Sequence, residues 1–90
     1  CDSLLAPTPG EITFKINSKR LSHGITVSDI DVKLAMNFAF QKLKLTVEPG
    51  GAVALAALLA NKELYKDKTV LIVLSGGNVD PTIFTSALSQ

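Results

Sequence analysis

Five consecutive apolar positions, Val70 to Leu74, stand out because three of the five are β-branched. Alternation would bury one face of a strand. An unbroken, β-branched run predicts a strand covered on both faces, as in the centre of a parallel sheet. Ser75-Gly76-Gly77-Asn78 stops the run, and Asp80-Pro81 supplies a cap and a first-turn proline for a helix to about Leu88. Ligands of open parallel sheets bind outside the carboxyl ends of strands, so the turn from Ser75 to Asn78 is the first candidate site.

Three further helices are predicted before this strand. Thr8-Pro9-Gly10-Glu11 reads as a capping box with proline at the first position, Ile12 and Ile16 as one face, and Gly24 as the stop. His23 falls in the last turn expected for this helix, where a histidine serves the helix end, and no partner motif surrounds it. Ser28 and Asp31 form a second box ahead of a helix to about Leu43. Its apolar stripe is Val32, Ala35, Met36, Ala39 and Leu43, widened by Phe38 and Phe40. Thr46-Val47 reads as a short extended piece. Glu48-Pro49-Gly50-Gly51 opens a third helix to about Asn61, apolar all round and so expected to be enclosed on every side. Glu48 beside a buried helix start calls for donors, either helix amides or a polar ligand.

The predicted order is α, α, α, β, α. A lone strand makes no sheet. The expected fold class is therefore α/β: a fragment of an open, mostly parallel sheet flanked by helices, incomplete on its own. Composition points the same way. Ninety residues form at most one domain, yet 47% are hydrophobic and mean hydropathy is +0.32. The first residue is Cys1, not methionine, which also reads as a piece of a longer chain.

Net charge is +1 with basic residues scattered, and Trp is absent, which argues against nucleic-acid binding. Ala52 to Ala60 is the longest apolar run, well below the roughly 20 residues that span a bilayer. Cys1 is the single cysteine, so no internal disulfide forms; it reads as a small residue in a reducing cytoplasm. No His, Cys, Asp or Glu cluster has metal-ligand spacing. The Ser-Gly-Gly-Asn turn is neither a dinucleotide fingerprint nor a P-loop, and G-x-S-x-G is missing.

Three ordered motifs resemble one family. Pro7-Thr8-Pro9-Gly10-Glu11 with Asn17, then Val47-Glu48-Pro49-Gly50-Gly51-Ala52, then Leu74-Ser75-Gly76-Gly77-Asn78-Val79-Asp80 look like the C-terminal part of threonine dehydratases and serine racemases. These are fold-type II enzymes that use pyridoxal phosphate, similar to the tryptophan synthase β subunit. The resemblance implies that residues 1–90 are the C-terminal part of the large, cofactor-binding domain, without an internal boundary. Ser75 would hydrogen-bond the pyridine nitrogen of the cofactor, Gly76 and Gly77 would pass beneath its ring, and Glu48 would line the same pocket. In racemase-like members a nucleotide effector contacts positions matching Lys44 and Asn78. The family's Ser-x-Lys motif, whose lysine forms the Schiff base, and its glycine-rich phosphate loop have no match here.

The implied activity is a threonine or serine ammonia-lyase that yields a 2-keto acid and ammonia, the ninety residues alone being inactive. A racemase of the same family is the near alternative. A self-associating binding module is the distant one. Implied partners are the rest of the parent chain, an amino-acid substrate and further copies in a homo-oligomer, with neither nucleic acid nor membrane.

Overall fold

The computed structural model describes all ninety residues, Cys1 to Gln90. Four α-helices are present: α1 (Glu11–Arg20), α2 (Asp29–Phe38), α3 (Pro49–Ala60) and α4 (Pro81–Leu88). Short 3₁₀ turns lie at Asp2–Leu4 and Lys62–Tyr65, and a π turn at Ala39–Leu43 extends α2. No strand is formed.

The α/β expectation is thereby corrected: the chain is helical without a sheet. Residues 69–75 share no backbone hydrogen bond with any other part of the chain. The apolar run does not have two covered faces either. Ile72 and Leu74 pack on the core, while Leu71 is 92% and Val73 70% exposed. The physical reason is a lack of neighbours. The run is flanked by core on one side only, and no parallel segment lies beside it to accept its amides.

Helix α2 begins as its sequence dictates. The Ser28 hydroxyl accepts from the Asp31 amide at 3.1 Å, and the Asp31 carboxylate accepts from the Ser28 amide at 3.1 Å and hydroxyl at 2.7 Å. These hydrogen bonds hold the Asp31 carboxyl below the usual carboxylate range, the Ser28 hydroxyl contributing most and its amide next. The expected stripe is the core: Val32, Ala35, Met36 and Ala39 are buried, joined by Val47, Ala52, Leu55, Ala56 and Ala87. Small residues on α3 let it lie close to α2. Leu43 stays outside, because the π turn rotates it off the stripe. Lys44 then closes the helix in the left-handed region at φ 59°. Phe40 meets Phe84 of α4 edge to face, with ring centres 5.3 Å apart.

Two other expectations change. Helix α1 starts at Glu11 with Gly10 as its cap, no side chain capping it, and it ends at Arg20 rather than near Gly24. Thr8 therefore caps nothing, and His23 lies beyond the helix, its Nδ1 3.0 Å from the Ser22 hydroxyl. Helix α1 packs on no other helix, leaving Ile12 77% and Phe14 58% exposed. Helix α3 is not enclosed: Gly51, Ala52, Leu55 and Ala56 are buried, but Ala54 and Ala60 are exposed. The radius of gyration is 14.0 Å, above the about 12 Å of a packed domain this size, and the extents are 39 × 34 × 19 Å. The helices thus form a thin layer with one shallow core.

Candidate functional site

Two segments far apart in sequence converge at the start of α3. One is Thr46–Gly51, which leads into the helix. The other is the Ser75–Asn78 turn. The Glu48 amide donates to the Gly76 carbonyl at 2.9 Å. The Glu48 carboxylate also lies across Gly76: a Cβ on Gly76 would stand 2.7 Å from its Oε1. Gly51 abuts the same residue: a Cβ on Gly51 would stand 3.0 Å from both the nitrogen and the oxygen of Gly76. A side chain at Gly51 would press on the Gly76 backbone, so bare backbone is needed there, whereas one at Gly76 would displace the Glu48 carboxylate.

Ser75 sits at the edge of this contact. It is exposed, and its hydroxyl makes no hydrogen bond within the chain. Val79 turns back onto Gly77, its amide donating to the Gly77 carbonyl at 2.9 Å, and the Asp80 carboxylate caps α4 by accepting from Thr82 and Ile83 at 2.8 and 3.2 Å.

A cleft of about 420 Å³ opens beside the convergence. Glu48 and Asn78 line it; Ser75, Gly76, Gly77 and Lys44 do not. Of the sequence-derived site residues, the fold joins Glu48 to Gly76 directly and brings Asn78 to the same cleft. Lys44 stands apart on the left-handed turn that follows the π turn. The cleft also draws on Asp2, Ser3 and Lys33, which sequence patterning did not single out. Nothing in their spacing could have shown them: they reach the cleft from the first residues and from α2, far in sequence from Glu48. Lys33 donates to the Ser86 hydroxyl at 3.0 Å, tying α2 to α4 at the cleft margin. No group of three His, Cys, Asp or Glu residues is arranged around one point to hold a metal ion.

The Ser75 hydroxyl is thus a free polar group beside two glycines and the Glu48 side chain. The chain belongs to the pyridoxal-phosphate dependent enzyme family, whose match covers residues 1–76. It is similar to a serine racemase of Schizosaccharomyces pombe, with 38% identity over 81 residues, 90% of this chain and 25% of that protein. It is likewise similar to the L-threonine ammonia-lyase of Thermotoga maritima, at 37% over 89 residues, 99% of this chain and 22% of that enzyme. The L-threo-3-hydroxyaspartate ammonia-lyase of Saccharomyces cerevisiae matches at 38% over 80 residues, 89% of this chain and 24% of that enzyme. The chain thus spans about a quarter of the length of these curated relatives.

Proposed function

We propose that these ninety residues are the C-terminal part of the cofactor-binding domain of a pyridoxal-phosphate-dependent ammonia-lyase acting on L-threonine or L-serine. The observation that carries this reading is the unpartnered Ser75 hydroxyl beside Gly76, within a chain that matches the family over residues 1–76.

When bound, pyridoxal phosphate supplies an electron sink for loss of the substrate's α-proton. The residues of this chain would hold the ring. Ser75 would donate to the ring nitrogen; a hydroxyl serves a neutral nitrogen, and unlike a carboxylate it does not stabilise a protonated one. Gly76 and Gly77 would let the ring lie close to backbone. Glu48 would border the ring and the cleft. Lys44 and Asn78 would be contacts for a nucleotide effector.

Racemisation of serine is the second reading, favoured by the similarity to serine racemases. The parent chain, loaded with cofactor, decides between them. Keto acid from L-threonine or L-serine supports the lyase; D-serine from L-serine supports the racemase. A parent chain that binds no pyridoxal phosphate and yields neither product would overturn both.

A further inference from the structure

We propose that Glu48 is a positioning residue that fixes the turn bearing Ser75, rather than a proton carrier. The proposal rests on the functional reading above, which makes the direction of the Ser75 hydroxyl matter.

Three contacts at Gly76 carry it. The Glu48 amide holds the Gly76 carbonyl at 2.9 Å. The Glu48 side chain lies over the place a side chain on that residue would take: a Cβ on Gly76 would stand 2.7 Å from Oε1, 3.0 Å from Cδ and 3.6 Å from Cγ. Gly51, three residues on and buried, closes against the backbone nitrogen and oxygen of Gly76, each 3.0 Å from its notional Cβ. Residue 76 is therefore gripped by a main-chain hydrogen bond, a side chain laid across its Cα, and a bare helix turn. Ser75 is joined to it by one peptide bond. Its own hydroxyl has no partner, and it lies at the end of a stretch, 69–75, without backbone partners. Within this chain its direction is consequently set by the gripped Gly76 on one side and by Leu74, packed on the core, on the other.

The contact works in both directions. Gly76 must lack a side chain for the Glu48 carboxylate to rest there. A methyl at 76 would push that carboxylate, the movable end of a flexible side chain, towards the cleft that Glu48 also lines. The shape of the side chain thus matters more than its charge, and glutamine can take the same path across Gly76.

The test uses the parent chain with Glu48→Gln, Glu48→Ala, Gly76→Ala and the Glu48→Ala/Gly76→Ala pair. Two quantities are read: pyridoxal phosphate affinity, from its absorbance and fluorescence, and the pH profile of kcat. We expect Glu48→Ala and Gly76→Ala each to weaken cofactor binding by about tenfold or more, because the turn bearing Ser75 loses the contact that positions it. Glu48→Gln should lose no more than about threefold, with the pH profile kept. The pair should lose less than the two single losses multiplied, because the methyl then meets no carboxylate. Glu48→Gln as damaging as Glu48→Ala, or with a lost limb of the pH profile, would overturn positioning in favour of a charge role. Unchanged affinity in Glu48→Ala would overturn it too. Absence of cofactor binding by the unaltered parent chain would instead remove the functional reading beneath it.

Discussion

Gly77 lies so close to Thr46 that a Cβ on it would stand 2.6 Å from the Thr46 carbonyl oxygen. That oxygen belongs to backbone and cannot swing away, unlike the carboxylate that faces Gly76. Gly77→Ala should therefore separate the Ser75–Asn78 turn from the segment entering α3. The expected cost is about 1–3 kcal/mol, the range for overpacking a close contact. Denaturant unfolding of the parent chain measures it. A midpoint equal to the unsubstituted protein's would show that the two segments do not need this approach.

Ser75→Ala tests the hydroxyl itself. In the loaded parent chain the ring nitrogen would lose its donor, at a cost of roughly 1–3 kcal/mol. Cofactor affinity and turnover should both fall. Unchanged values would reduce Ser75 to a residue that merely ends an extended stretch.

The capping box gives a pH-dependent expectation. Asp31 has its carboxyl lowered by hydrogen bonds from the Ser28 hydroxyl and amide. A lowered value in the folded state favours folding above the unfolded carboxyl's value of about 3.9, and the benefit disappears as pH falls through the folded value. Carbon-detected NMR of the Asp31 carboxyl should show titration below that of a free aspartate. Ser28→Ala should bring it back up, since the larger of the two causes is removed. A titration that ignores the substitution would mean the box is not closed in solution.

The ninety residues by themselves should release no keto acid from L-threonine or L-serine above the rate of free pyridoxal phosphate. They hold no Ser-x-Lys motif and no second glycine-rich loop, so nothing in them fixes the cofactor against a substrate, and orientation supplies much of such a rate. Keto-acid assays of the purified chain with saturating cofactor measure this. Release clearly above the cofactor blank would reveal a complete site within these residues.

Local grammar was legible in the sequence, and non-local geometry was not. The Ser28–Asp31 box, the Asp80 cap ahead of Pro81 and the stripe from Val32 to Ala39 are all present where the residues place them. The box expected at Thr8 is not: Gly10 caps α1, which has no packed face to reward a longer helix. Val70 to Leu74 misled for a related reason. An apolar run states that burial is favourable, but not what will cover it.

Interactions within about one helical turn are written in neighbouring letters, so the sequence by itself determined the starts of α2, α3 and α4, the core stripe from Val32 to Ala39 and the family motifs. Only the tertiary structure decided that Leu71 and Val73 face outward, that α1 stands clear, and that Glu48 lies across Gly76. Each of those depends on which atoms meet across space. Residues 48 and 76 touch because α3 packs on α2 and carries its entry segment to the Ser75 turn, an outcome that no spacing of letters encodes.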